Sequence, residues 1–149
     1  MKILVAIDGS EQSLKAADVA VKMTQAFDAE ITLITVVFQE PIYNMAAMPG
    51  ALMKNIFDTQ AELTEREKEH GKMLLEYVTE KFIAVNIQPK HVISVGFPSE
   101  EIIKEADRGE YDMLIMGCRG LASLTKRVFM GSVTERVIHH TKANVLVVK

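Results

Sequence analysis

The chain has 149 residues, of which 48% are hydrophobic and 25% charged, with one cysteine and a formal net charge of −3. This length fits one domain, residues 1–149, with its own core. A single cysteine excludes an intramolecular disulfide framework, and no apolar run reaches the ~20 residues of a membrane helix. Asp8 comes too early for a signal peptide, so we expect a cytoplasmic protein. The negative charge argues against a general nucleic-acid binder.

The first 38 residues have the pattern of a strand, a helix and a second strand. Residues 2–7 form a nearly continuous apolar run, which is typical of a strand buried on both faces of a parallel sheet. Ser10 is a suitable N-cap for a helix over Glu11–Phe27, and Glu30–Phe38 is again β-branched and apolar. Because such crossovers are right-handed, we expect the two strands to be parallel neighbours.

Residues 39–53 interrupt this alternation and predict a long loop. They contain three of the nine methionines. Met45, Met48 and Met53 fit a flexible lid, a partner surface or local packing equally well. A long helix is predicted over residues 54–84. Its predicted inner face consists of Phe57, Ala61, Thr64, Leu75, Val78 and Phe82, with Gly71 on the same stripe, where it weakens the helix or permits close packing.

The rest of the chain continues the alternation to its end. Strands are predicted at 90–95, 112–116 and 144–149, a helix capped by Ser99 ends near Gly109, and a last helix covers 132–141. Five strands and four helices predict an α/β fold: a single-domain, open five-stranded parallel sheet with helices on both faces. We expect the final strand to lie at a sheet edge.

Ligands of open α/β sheets bind beyond the carboxyl ends of the strands, where the strand order reverses. The most informative loop there begins with Gly117-Cys-Arg-Gly120 and ends with Gly131-Ser132. Glycines let a backbone approach a ligand closely, and a helix N-terminus favours phosphate. Ser132 and Glu135 fit a capping box, so the Ser132 hydroxyl is predicted either to cap the helix or to contact a phosphate.

Charge and motif spacing narrow the kind of site. Residues 117–149 carry a net charge of +5 and residues 1–116 a net charge of −8, which suits a phosphate site or, equally, a solvated surface. The loop is not a P-loop, and Asp8-Gly9-Ser10 replaces the glycine fingerprint of dinucleotide-binding folds. Use of NAD in a redox reaction is therefore not expected.

These residues resemble the universal stress protein family along essentially the whole chain. The matching segments are ILVAIDGS, ITLITVV, VGFPSEEIIKEA, DMLIMGCRG, GSVTERVI and NVLVVK. The resemblance implies a Rossmann-like, adenine nucleotide alpha hydrolase-like fold that binds ATP, with or without Mg²⁺, through a G-x2-G-x9-G-[ST] loop. It places Asp8 beside ribose or adenine and the Val36 backbone at the adenine edge. The implied site comprises Ala6, Ile7, Asp8, Val36, Met116, Gly117, Arg119, Gly120, Gly131, Ser132 and Val133.

The glycine loop departs from the family pattern by one residue. Ten residues separate Gly120 from Gly131, where the ATP-binding pattern has nine. The extra residue can be absorbed as a bulge, or it can pull one glycine away from the phosphates.

Three functions are compatible with this sequence. The first is a stress-response module that binds ATP and forms a homodimer through residues 144–149. The second is a nucleotide-free dimeric interaction protein. The third is a weak ATPase, although Asp8 is the only acid in the loops nearest the phosphates, so efficient catalysis is not expected. The four histidines lack metal-ligand spacing with Cys118, and no metal site is predicted.

Overall fold

In a computed structural model of the chain, residues 1–39, 50–121 and 130–149 are described. The strands are β1 (Lys2–Ala6), β2 (Glu30–Phe38), β3 (Lys90–Gly96), β4 (Met113–Gly117) and β5 (Asn144–Val148). The helices are α1 (Glu11–Phe27), α2 (Gly50–Ile83), α3 (Pro98–Arg108) and α4 (Ser132–His140). Within these described ranges, no helix combines the length and apolarity needed to cross a membrane.

The five strands form one parallel sheet in the order β3-β2-β1-β4-β5. From β1 the chain first builds outward to β2 and β3, then returns to place β4 and β5 on the other side. The strand order therefore reverses between β1 and β4, where a crevice forms beyond their carboxyl ends. The predicted fold is confirmed, as are the pairing of β1 with β2 and the edge position of β5.

Alternate side chains of the central strands supply two separate cores. On one face, Ile3, Val5 and Leu33 pack with α1 and α2. On the other, Leu4 and Ile34 pack with α3 and α4. Because both faces are covered, the central strands are mostly apolar, and that pattern is the signal read from the sequence.

The starts of two helices differ from the prediction, whereas α4 begins at Ser132 as predicted but with a different N-cap. α2 begins at Gly50, so residues 50–53 are helical rather than part of the loop. α3 begins at Pro98 with Phe97 as N-cap, and Ser99 lies inside the first turn. Gly131, in an extended conformation, is the N-cap of α4. Proline suits a first helical position because its missing N–H would have no acceptor there. Ser99 as a cap was therefore wrong.

The predicted inner face of α2 is correct only for its second half. Leu75, Val78 and Phe82 are fully buried, whereas Phe57 is 50% exposed and Ala61 is also exposed. Of the two alternatives for Gly71, the structure supports close packing, because a Cβ built there would lie 3.0 Å from Thr35 Cγ2 of β2.

Candidate functional site

A cavity of about 700 Å³ lies beyond the carboxyl ends of β1, β2 and β4. This is the end of the sheet at which the strand order reverses. All eleven residues proposed from the sequence line it: Ala6, Ile7, Asp8, Val36, Met116, Gly117, Arg119, Gly120, Gly131, Ser132 and Val133. Residues separated by more than 120 positions in the chain therefore meet around one space.

The turn after β1 is held by the side chains of Asp8 and Ser10. Asp8 Oδ1 accepts a hydrogen bond from the Ser10 amide at 3.0 Å, and Ser10 Oγ accepts one from the Ser13 amide at 3.2 Å. Ser10 is thus the N-cap of α1, as predicted. Asp8 Oδ2 accepts from the Leu121 amide at 3.0 Å, so the turn also contacts the segment that follows β4.

Gly117 ends β4 in close contact with the start of α1. A Cβ at this position would lie 2.8 Å from both the carbonyl carbon and the Cβ of Gln12. Its carbonyl accepts a hydrogen bond from Thr134 Oγ1 at 2.9 Å. Helix packing alone therefore requires glycine at position 117, whatever the cavity binds.

The two ends of the segment between β4 and α4 lie side by side. The Gly131 amide donates to the Cys118 carbonyl at 2.8 Å, and the Cys118 amide donates to Val148 of β5 at 2.7 Å. A Cβ on Gly131 would lie 3.4 Å from Arg119 Cα and 3.7 Å from the Gly120 nitrogen. The extra residue relative to the family pattern therefore does not separate Gly131 from Gly120.

The start of α4 is open toward this space. Gly131 provides no side-chain cap, and Ser132 occupies the first helical position with its side chain exposed. The capping-box interpretation of Ser132 and Glu135 was wrong, because the helix begins one residue earlier than that motif requires, with Gly131 rather than Ser132 as its N-cap. Helical geometry leaves the first amides, which include those of Ser132 and Val133, without an intrahelical acceptor.

One wall of the cavity was not predicted. It comes from α2, where Glu67, His70, Gly71 and Leu74 line the space opposite the glycine segment. In the sequence, Gly71 was the residue that could have indicated this wall, because a residue without a side chain marks where α2 comes closest to β2. The path of the helix past that point could not be read from its sequence.

Other expectations concern basic and sulfur-containing side chains. Arg119 is half-buried at the cavity, whereas Met45 and Met48 lie outside the described residues. Lys15 donates to Glu11 at 2.7 Å and is the main cause of a lowered pKa of Glu11. The positive charge of Arg119 lowers the pKa of Glu11 further, so Arg119 adds positive potential near the start of α1.

Metal ligands do not cluster in the part of the chain that the structure describes. There, no group of three or more His, Cys, Asp or Glu side chains could hold an ion. Cys118 is buried within the turn after β4. At the start of α4, backbone amides and the Ser132 hydroxyl offer donors that suit an anionic ligand.

The fold and this cavity define an open parallel α/β domain with a ligand crevice at its topological switch point. The sequence model of the Universal stress protein family matches residues 1–149. The chain therefore belongs to the universal stress protein family.

Individual family members match over nearly the full length of both chains. Universal stress protein MJ0577 of Methanocaldococcus jannaschii is 33% identical over 99% of this chain and 94% of its own. A solved structure of MJ0577 has a TM-score of 0.83, with 99% and 94% of the two chains covered. Universal stress protein YxiE of Bacillus subtilis is 30% identical over 99% of this chain and 98% of its own. A universal stress protein crystallised in complex with cAMP is 25% identical, with a TM-score of 0.66 and coverage of 100% and 96%.

Proposed function

We propose that this protein is a regulatory module of the stress response that binds an adenine nucleotide, ATP in particular, in the cavity between β1 and β4. The observation that carries the proposal is the convergence of all eleven sequence-predicted residues on that one cavity. Family membership supports it, as does the cAMP complex of a similar universal stress protein. The single cysteine fits the cytoplasm as its location.

The two ends of the cavity suit different parts of a nucleotide. Apolar side chains such as Ile7, Val36 and Met116 offer a surface for a base, with Asp8 within reach of ribose or adenine. At the other end, the first amides of α4 and the Ser132 hydroxyl can donate to phosphate oxygens. Because Ser132 does not cap its helix, its hydroxyl is available for that contact.

Close packing of the loop ends supports binding despite the extra residue. A phosphate site built from Gly120, Gly131 and Ser132 needs these residues to be adjacent. The bond from the Gly131 amide to Cys118 holds Gly131 beside Gly120. Mg²⁺ enters as the counter-ion of the nucleotide, since Mg²⁺ is commonly held by substrate phosphates with few protein ligands.

A regulatory role is favoured over efficient hydrolysis. Both oxygens of Asp8 already accept hydrogen bonds from backbone amides, so the position of this carboxylate has a structural reason that does not involve hydrolysis. A bound nucleotide would instead stabilise one arrangement of the surrounding loops and so alter what a partner protein meets.

Nucleotide carry-over followed by titration tests the proposal. The protein is purified without added nucleotide, denatured, and assayed for released adenine nucleotide; Mg·ATP is then titrated into emptied protein by calorimetry. We expect saturable binding that Gly131→Val weakens at least tenfold, because the new side chain would fill the space beside Arg119 and Gly120. Gly50→Val is the matched control, since a Cβ there meets nothing within 4 Å. The absence of both carry-over and binding at millimolar ATP would refute the proposal.

We also propose that the protein is a homodimer joined through β5. Among the described strands, β5 pairs only with β4, and its residues from Val145 to Val148 are half-buried. An apolar strand edge of this kind favours pairing with a second chain. Light scattering should give twice the mass of the chain. Val147→Lys should halve that mass, because it places like charges from the two chains together at the paired β5 edges. Leu63→Lys, on the exposed side of α2, should leave the mass unchanged.

A further inference from the structure

Two aromatic side chains are exposed where β2 and β3 end. Phe38 is the last residue of β2 and lines the cavity, yet it is 55% exposed. Phe97 directly follows β3 and is 37% exposed. The two rings meet edge to face, with their centroids 5.6 Å apart and their planes at 63°. An exposed ring at the rim of a cavity offers apolar surface that a bound ligand can cover.

The backbone around both rings is held in place. In the β2–β3 ladder Phe38 is paired with Gly96, and the Gln39 amide donates to the Gly96 carbonyl at 3.3 Å. Phe97 is the N-cap of α3, and its carbonyl accepts from the Glu101 amide at 3.0 Å. Because edge-to-face contact is a favoured arrangement of two rings, Phe97 limits the orientations that are open to Phe38.

Phe38 lies at the end of the cavity proposed for the base. Side chains two positions apart in a strand point to the same face, so Phe38 lies on the face of Val36, about 6–7 Å further along β2. Ile102 of α3 adds apolar surface at this end. The start of α4, proposed for the phosphates, follows β4, and β1 separates β4 from β2. Two strand spacings are about 10 Å, so base and phosphates would occupy opposite ends of the cavity.

We propose that the ring of Phe38 stacks on the base of the bound nucleotide, and that Phe97 is a positioning residue that holds this ring. The proposal rests on the proposed function and names a residue that contacts the base. Stacking uses the π-face that every base has, so Phe38 supplies affinity rather than a choice among bases. That choice falls to polar groups at the edge of the base, such as the Val36 backbone and Asp8, against whose carboxylate Gly120 packs.

Calorimetric titration of Mg·ATP into emptied protein tests the stacking. Phe38→Ala should weaken binding about tenfold, within the range measured for removal of a ring that stacks on a base. Phe38→Tyr keeps the ring and should bind within about twofold of wild type, whereas Phe38→Leu should recover only part of the loss. Phe27→Ala, which removes a similarly exposed ring from the last position of α1, is the control and should leave the affinity unchanged.

NMR of bound ATP separates stacking from a structural role of Phe38. The ring current of a stacked aromatic side chain moves the adenine H2 or H8 resonance upfield. At saturating Mg·ATP this shift should be present in wild type and in Phe38→Tyr, and absent in Phe38→Leu. The same shift in Phe38→Leu, or wild-type affinity in Phe38→Ala, would overturn the inference alone. If wild-type protein binds no ATP, the proposed function fails and the inference fails with it.

A double-mutant cycle tests the positioning role of Phe97. Phe97→Ala should weaken ATP binding about two- to threefold, and Phe97→Tyr should bind like wild type, because a second ring keeps the edge-to-face contact. Added to Phe38→Ala, Phe97→Ala should have almost no further effect, since no ring remains to be held. Independent, multiplying losses would show that Phe97 does not act through Phe38 and would overturn its assigned role.

Discussion

The two halves of α2 carry similar apolar side chains, but they have different surroundings. Phe82, in the second half, is completely buried against the sheet, whereas Phe57, in the first half, is 50% exposed. Leu52 and Leu63 of the first half are also about half exposed, at 49% and 54%. Both halves belong to one continuous 34-residue helix. Burial of an apolar side chain on α2 therefore depends on whether strands of the sheet lie beneath it. The cavity wall that α2 provides begins where the two halves meet.

The largest effect should come from the buried half. Phe82→Ala should lower the free energy of unfolding by about 3–5 kcal/mol, because it opens a cavity between α2 and the sheet. Urea titration followed by circular dichroism would measure this change. A loss below about 1 kcal/mol would mean that the second half of α2 is not the part that stabilises the fold.

The boundary between the halves should respond to added volume. Gly71→Val should cost about 1–3 kcal/mol, because its Cβ would lie only 3.0 Å from Thr35 Cγ2 and its branches closer still. The same denaturant titration checks this, with Gly50→Val, in open space, as the control. Gly71→Val should also reduce the affinity for ATP, because Gly71 lines the cavity. Unchanged stability would indicate that α2 can move away from β2.

A smaller effect is expected from the hydrogen bonds of Thr79, a buried polar residue of the second half. Thr79 Oγ1 donates to the Leu75 carbonyl at 2.8 Å and contacts His91 Nε2 of β3 at 2.6 Å. Thr79→Val keeps the shape but loses both contacts, so it should cost about 1 kcal/mol. Thermal unfolding of this variant beside His91→Ala and the double variant would measure their coupling. Simple additivity would contradict a hydrogen bond between them.

The smallest effect should come from the exposed half. Phe57→Ala should change the free energy of unfolding by no more than about 0.5 kcal/mol, since half of that ring already contacts water. The Phe57 and Phe82 variants remove the same side chain from the same helix. The difference between their changes in the free energy of unfolding therefore isolates the contribution of packing against the sheet. Similar losses at both positions would show that the first half also packs against a neighbour.

Local patterns were sufficient for much of the site. Asp8 and Gly117 were found because each follows an apolar strand, and Gly131 because it precedes an amphipathic helix. All lie at one edge, since parallel strands place their carboxyl ends together. The contributions of Glu67 and His70 could not be predicted, because they depend on how a long helix crosses that edge.

Two assignments show where sequence patterns reach their limit. Ser132 fitted a capping box, yet the helix starts at Ser132 itself and Gly131 caps it. Gly117 resembled a ligand glycine, but contact with Gln12 of α1 already requires it. Short motifs report which backbone conformations are possible, and contacts between distant segments select among them.

The sequence by itself determined the strands, the helices and the parallel α/β class, because burial on both faces leaves an apolar run that needs no knowledge of partners. It also determined the family to which the chain belongs, through motifs spread from Asp8 to Ser132. Only the tertiary structure decided which half of α2 is buried, which glycines face α1 or Asp8, and that Asp8 contacts Leu121. These contacts join residues far apart in the chain, so their geometry exists only once the sheet has brought the loops together.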